Sequence, residues 1–241
     1  MSLMEAAGVS LVGQRILDVG CGLGGKSVAF AERGVGVVGV DLTPENVRAG
    51  ADFARSRGVH GNDFVAADAS RLPIRSGSFD LVVSTDTFEH LPQPGRSLSE
   101  MRRALRKGGR LVAVFGPFGS PLGSHLYDSL FVPWCHLMFS RDTLADTLRE
   151  LARRRGKGLD PVRAQEEARR AEEQIAYFDS HLNRMTLRQF RKLLLDEPGL
   201  VLRKWMKWTP PKLRPLTPLL RIPGLDEILT GLVVAVAERT D

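Results

Sequence analysis

From Arg15 to Gly25 the chain reads Arg-Ile-Leu-Asp-Val-Gly-Cys-Gly-Leu-Gly-Gly, and no other stretch restricts the fold as much. A short apolar run, Ile16-Leu17 and Val19, carries one acid, Asp18, and runs straight into Gly20, Gly22 and Gly24. The run is too short for a buried helix and is bounded by glycine, so it reads as a buried strand. The glycines read as the turn that feeds that strand into a helix. Glycine reaches left-handed backbone angles and carries no side chain to hold a ligand away from the main chain. Bare main chain at the C-terminal edge of a parallel sheet is where nucleotide-type ligands bind in open α/β folds.

The strand–helix alternation continues downstream. Arg15–Val19, Gly36–Val40, Asn62–Ala67, Phe79–Ser84 and Arg110–Phe115 read as strands. Gly24–Arg33, a segment capped by Thr43 and led by Pro44 that runs to about Arg57, and Arg96–Leu105 read as helices, with a turn at Lys107-Gly108-Gly109. This order predicts an α/β fold, a parallel sheet covered by helices on both faces. After Phe115 the pattern breaks. Gly116 to about Pro133 is rich in Gly, Pro and Ser with interleaved aromatics and reads as an active-site loop. Ser140 caps a helix over Asp142–Arg154, a second polar helix follows over about Pro161–Phe178, and Thr186 caps Leu187–Leu195. Leu200–Trp208 and Gly231–Glu238 read as the last strands, joined by the Pro-rich Thr209–Gly224 and a short turn at Asp226–Leu229. The expected organisation is one domain over 1–241, with an inserted loop and helical lid over 116–183.

Composition excludes several classes. The chain has 241 residues, 43% apolar and 26% charged, which suits a folded domain with an insertion rather than a disordered chain. Its longest apolar run, Leu229–Ala237, is far short of the ~20 residues that span a bilayer. The start lacks the basic-then-apolar pattern of a signal peptide. Two cysteines, Cys21 and Cys135, make neither a disulfide framework nor a metal cluster. The expectation is a cytoplasmic protein without a metal. The net charge of +6 is uneven: Arg184–Arg221 holds ten Lys/Arg against Asp196 and Glu197. That stretch reads either as a solvated basic face or as attraction to an anionic partner: a phosphorylated substrate, a membrane surface or nucleic acid.

Five motifs stand in register along the first half: ILDVGCGLGG, VVGVDLTP, VAADASRLP, FDLVVSTDTFEHL and LRKGGRLVAVF. With them the chain resembles the class I S-adenosylmethionine-dependent methyltransferases, and within these the small-molecule branch typified by the ubiquinone/menaquinone-biosynthesis enzymes. The resemblance is strong over about Gln14–Phe115 and looser over the last two strands. It implies a Rossmann-like sheet in the order 3-2-1-4-5-7-6 with the last strand antiparallel. It also implies S-adenosyl-L-methionine as cofactor and S-adenosyl-L-homocysteine as product. By resemblance Asp18, Gly20, Cys21, Gly22 and Gly24 hold the methionine portion and let the main chain approach it. Asp41 accepts from both ribose hydroxyls, which a carboxylate can do at once. Leu42 packs on the adenine, Asp68 accepts from its amino group with the Ala69 amide beside it, and Ser84 and Thr85 line the methionine end. Glu89-His90 belongs to the family pattern, with His90 read as a packing or hydrogen-bonding residue. Many members carry one or two helices before the first strand, whereas about a dozen residues precede Gln14 here. The insertion, a longer chain or a second chain would then supply the cover.

The glycines also satisfy G-x-G-x-x-G through Gly20, Gly22 and Gly25, with Asp41 about twenty residues on, so a nicotinamide-dependent oxidoreductase competes. Against it stand Asp18 before the first glycine, the repeat of the acid-after-strand pattern at Asp68, and a strand–loop–strand ending suited to an antiparallel last strand.

Methyl transfer asks mainly that the attacking atom be aligned and water excluded, with one base where the acceptor is a hydroxyl or an activated carbon. Gly116–His136 concentrates the candidates. His125 and His136 are the preferred bases, with Tyr127 and Asp128 orienting them and His181 a further candidate. The fourth strand ends in Ser84-Thr-Asp-Thr87, not in the Asn-Pro-Pro-aromatic segment that positions an exocyclic amine, which argues against methylation of nucleic-acid bases. The aromatic loop favours a small, partly apolar acceptor, and the basic tail suits an anionic, lipid-linked or sugar-linked one. A second expectation is a catalytically silent subunit that binds cofactor and serves a partner. The oligomeric state stays open.

Overall fold

The computed structural model describes every residue except 1–3, 5, 6, 60–62 and 223, and the side chain of Asp128 also lies outside the description. The chain divides into two compact units: Met1–Phe115 with Arg188–Lys207 and Val233–Asp241, and Gly116–Leu187 with Trp208–Leu232. The expected insertion, 116–183, falls within the second, which also takes in the Pro-rich segment.

The first unit is built on a seven-stranded sheet in the order β3-β2-β1-β4-β5-β7-β6. The strands are β1 (Arg15–Val19), β2 (Gly36–Asp41), β3 (Asp63–Ala66), β4 (Phe79–Thr85), β5 (Leu105–Phe115), β6 (Leu200–Trp208) and β7 (Leu232–Arg239). The expected order holds, and β7 runs antiparallel to β5 while β1 to β5 are parallel. Asn62, expected to open the third strand, lies outside the described residues. Strand β1 lies inside the sheet between β2 and β4, and Ile16, Leu17 and Val19 bury completely, as a continuous apolar run does when helices cover both faces. Four helices belong here: α1 (Gly25–Ala31), α2 (Pro44–Ser56), α3 (Pro94–Ala104) and most of α8 (Leu187–Asp196). Phe190 of α8 packs against Phe88 and Phe115 with ring centroids 4.9 and 4.5 Å apart. Arg102 of α3 pairs with Glu197 at 2.8 Å and with Asp241 at 2.6 Å, tying three distant stretches together.

The expected turn at Lys107–Gly109 is instead a bulge inside one long strand. Phe79 faces Leu105 while Leu81 already faces Arg110, two steps along β4 against five along β5. Gly108 takes up the excess at φ 74°. The strand survives the interruption because Asp80 holds both sides, accepting from the Arg15 amide at 2.7 Å and from the Arg106 guanidinium. Thr43 does precede α2, but its side chain makes no cap bond; Pro44 and Glu45 open that helix.

The second unit has a core of its own. Helices α6 (Arg141–Gly156) and α7 (Pro161–Ser180) pair, and Leu144, Leu148 and Ala152 bury with Ala171, Ile175 and Phe178. Ser140 accepts from the Thr143 amide at 3.2 Å, as its N-cap position requires, and Asp160 accepts from Val162 and Arg163 at 3.1 Å each. Ion pairs line the outer face, among them Arg149–Glu172 at 2.7 Å and Arg141–Asp179. The expected loop contains a single-turn helix, α4 (Tyr127–Leu130), and a second, α5 (Cys135–Met138), directly follows it. They are too short to leave a periodic pattern. The Pro-rich stretch is a 3₁₀ helix, Pro211–Arg221, followed by α9 (Leu225–Leu229) where a turn was expected.

Candidate active site

Parallel strands in register deliver their C-termini to one edge, and the acids after those strands arrive together. Asp18 stands beside Gly39 on β2 and Val83 on β4, and Asp41 beside Ala66 on β3. The turn after β1 is fixed by Val40, whose carbonyl accepts from Gly20 at 2.8 Å and from Cys21 at 3.0 Å. The Gly22 amide then donates to the Asp41 carboxylate at 2.9 Å. Asp41 is further fixed by the Thr43 amide and the Asn46 side chain, each at 3.0 Å. A carboxylate has about four acceptor sites. These three bonds fix its orientation and leave acceptor capacity for a ligand hydroxyl.

The glycines divide their work. A Cβ on Gly20 would lie 2.3 Å from Thr87 Oγ1, and one on Gly24 would lie 2.8 Å from Gly50 Cα, both at positive φ. These two are required by packing of the chain against itself. A Cβ on Gly22 would meet nothing within 4 Å, so this is the glycine whose main chain stands open to a ligand.

Asp18 is buried, and its carboxylate accepts from Ser27 Oγ at 2.6 Å. Burial raises its pKa from 3.8 to about 6, partly offset by the Ser27 hydroxyl. Cys21 beside it is pushed up to about 12 by burial and then by the Asp18 and Asp41 charges, so its thiol is inert at neutral pH. Asp68 is exposed and accepts from the Ser70 amide at 2.7 Å, which holds its carboxyl below the usual range. Leu42 is 69% exposed, an apolar side chain standing free beside Asp41. Ala69, in the turn after Asp68, is half-buried.

At the end of β4, Ser84 Oγ, Thr85 Oγ1 and, in the 3₁₀ turn Phe88–His90, Glu89 Oε2 are buried without a hydrogen-bond partner among the described residues. Polar atoms are rarely left so, and three at one strand end mark a place built for polar ligand atoms. Burial raises Glu89 to about 8, keeping it protonated and able to donate at neutral pH. Sequence reasoning placed Glu89 in a motif without giving it a role; only burial revealed it. The set combines an acid fixed for paired hydroxyls, an open glycine amide turn, an exposed apolar side chain and unpaired hydroxyls. These fit an adenosine-containing ligand with a polar tail.

The candidate bases lie in the second unit and meet different partners. His136 is half-buried, its Nε2 2.6 Å from the Phe118 carbonyl and its Nδ1 buried without a partner; burial lowers its pKa. His125 is exposed, at φ 57°, with its ring edge-on to Tyr177 at 5.9 Å. It lines a cleft of about 460 Å³ with Ser129, Arg155, Gln174 and Tyr177. Tyr127 is half-buried and meets the Phe131 ring at 6.3 Å; it does not line that cleft. His181 stacks on Tyr177 at 5.0 Å.

A family described as a methyltransferase domain matches residues 17–113. An uncharacterized methyltransferase of Mycobacterium ulcerans is 37% identical over 122 residues, 51% of this chain and 47% of that protein. The chloroplastic tocopherol O-methyltransferase of Arabidopsis thaliana is 35% identical over 103 residues, 42% of this chain and 30% of that one. The chain spans about half the length of the curated relatives it matches first. Among solved structures, geranyl diphosphate C-methyltransferase from Streptomyces coelicolor, in complex with Mg2+, geranyl diphosphate and S-adenosyl-L-homocysteine, superposes with a TM-score of 0.62 at 18% identity. That likeness covers 99% of this chain and 77% of the other, and shows the fold.

Proposed function

Residues 17–113 form a class I S-adenosylmethionine-dependent methyltransferase domain, and from that premise we propose that the protein transfers a methyl group to a small-molecule acceptor, at oxygen or carbon. The observation that carries this reading is the grouping of Asp41, the open Gly22 turn and the unpaired Ser84 and Thr85 hydroxyls at one sheet edge. When bound, the cofactor supplies a methyl group already activated on a sulfonium. Asp41 then accepts from the ribose hydroxyls, held in place by Gly22, Thr43 and Asn46. Leu42 covers the adenine, and Asp68 with the Ala69 amide meets its polar edge. Asp18, Gly20, Cys21, Gly22 and Gly24 wall the methionine end, where Ser84, Thr85 and protonated Glu89 supply hydroxyl and carboxyl groups.

A small, partly apolar acceptor is supported by two relatives, one named for tocopherol and one solved with geranyl diphosphate. Among the candidate bases, His125 is the one with an exposed ring on a cleft. His136, fixed on the Phe118 carbonyl, acts instead as a positioning residue for that loop. Titration calorimetry with S-adenosylmethionine and S-adenosylhomocysteine tests the cofactor half. Wild type is expected to bind both, and Asp41→Ala to bind at least about tenfold more weakly, as loss of a charged acceptor implies. Absent binding, or an Asp41→Ala variant equal to wild type, overturns the proposal.

A further inference from the structure

The second unit displays apolar side chains that its core does not use. Prolines 211, 215 and 218 remove backbone donors and prevent an α-helix over Pro211–Arg221, and the chain winds as a 3₁₀ helix instead. At three residues per turn, side chains three apart eclipse. That spacing aligns Leu213, Leu216, Leu219 and the capping Ile222 in a single row. No residue of the helix is buried, and Leu216, Leu219 and Ile222 are 39%, 37% and 48% exposed. Lys212 and Arg221 lie in one neighbouring row with Pro215 and Pro218, Arg214 lies in the other with Pro211, Thr217 and Leu220, and no acid occurs between Trp208 and Gly224.

A second exposed apolar stretch belongs to the same unit: Phe131, Leu137, Met138 and Phe139. Trp134 Nε1 donates to the Ile228 carbonyl at 3.0 Å, holding that stretch against α9, and α9 packs on the 3₁₀ helix. From 129 to 141 there is again no acid. The two acids of α9 are turned to backbone amides, Asp226 toward Gly224 at 3.1 Å and Glu227 toward Leu187 at 2.6 Å. Exposed apolar side chains gathered along one helix and the stretch tied to it suit an interaction surface. An apolar row bordered by cations, with Trp208 exposed at its start, has the chemistry of a segment that lies in a lipid interface. RNA would be met by the cations but gives four aliphatic side chains nothing to stack on.

We propose that the 3₁₀ helix Pro211–Arg221, with Ile222 and the Phe131–Phe139 stretch, seats this protein on an anionic phospholipid surface. The apolar row enters the acyl boundary and Lys212, Arg214 and Arg221 meet the headgroups. The proposal does not depend on methyl transfer, since membrane seating is read without cofactor or acceptor.

Co-sedimentation of the full chain with phosphatidylcholine vesicles, and with an equal mixture of phosphatidylcholine and phosphatidylglycerol, tests it. Wild type is expected to partition at least about tenfold more strongly onto the mixed vesicles. Each cation at an anionic surface contributes about fivefold, so Lys212→Gln with Arg214→Gln and Arg221→Gln should lose about a hundredfold there. Leu216→Ser with Leu219→Ser and Ile222→Ser should lose at least about tenfold on both vesicles; because more than half of each side chain is covered in the folded chain, the variant is compared at a temperature where its own melt shows it fully folded. Quenching of wild-type tryptophan emission by lipids brominated near the headgroup gives a reading that needs no variant. Failure of wild type to bind or be quenched overturns the proposal, as does an apolar variant that binds like wild type. So does RNA binding that falls in the charge variant, survives in the apolar variant and is not matched on vesicles.

Discussion

Replacing Asp18 by Asn isolates the electrostatics of the turn after β1. Asp18 is 2% exposed, and burial lifts its pKa from 3.8 to about 6. Two units correspond to about 3 kcal/mol of preference for the protonated form in the folded chain. Between those values the folded state holds a proton that the unfolded chain has released. The Asp18 contribution to wild-type stability is therefore full below about pH 4, falls as pH rises through about 6, and levels above. Asn keeps the shape and can still accept from Ser27 Oγ, but it does not titrate. Its extra amide donors cost about 1 kcal/mol if unmet. Asp18→Asn is thus expected to equal wild type or fall slightly below it near pH 4, and to exceed it by about 2 kcal/mol at pH 7.5. Urea melts of both proteins, without ligand, at intervals from pH 4 to 7.5 measure this. Glu89, raised from 4.5 to about 8, titrates in both proteins, so its contribution cancels in the difference. A wild-type-minus-variant difference that stays constant across this range refutes the reasoning. In its proposed place at the cationic methionine end, Asp18 must ionise for tight binding. Wild-type affinity for S-adenosylmethionine should then rise from pH 5 to 7.5, and the Asn variant should bind weakly throughout.

Gly20→Ala should destabilise by more than ~2 kcal/mol in urea melts, because the new methyl group falls 2.3 Å from Thr87 Oγ1 at φ 76°, whereas Gly22→Ala, in open space at φ 52°, should lose only about 1 kcal/mol while weakening cofactor binding; equal losses at both positions would contradict the division of roles. Leu148→Ala, in the α6–α7 core, should cost about 2–5 kcal/mol. Hydrogen exchange should locate that loss in the hairpin amides, and equal loss of protection in the central strands would show that the hairpin core is not separate.

The sequence alone determined the sheet and the edge where its ligand residues gather. Parallel strands buried on both faces must be continuous apolar runs, so Ile16–Val19 and its sheet neighbours were legible without coordinates, and the resemblance to a known family gave Gly20–Gly24, Asp41 and Asp68 their expected roles. Features that depend on distant partners were not. The bulge at Arg106–Gly109 looked like a turn because its strand pairing depends on Asp80, on a strand more than twenty residues earlier in the chain. The division of labour among the glycines follows from Thr87, Gly50 and Phe64 standing behind two of them. Glu89 became a candidate only when burial left its Oε2 without a partner, and His136 ceased to be the equal of His125 when Phe118 claimed its ring nitrogen. The row Leu213–Ile222 needed the winding of the helix itself: with three residues per turn Leu213, Leu216, Leu219 and Ile222 fall on one line, whereas at the α-helical pitch they would spread around half the circumference. Local periodicity fixes which residues lie in strands and turns, whereas burial, pKa and pitch arise from contacts between residues far apart in the chain, and only the tertiary structure decides them.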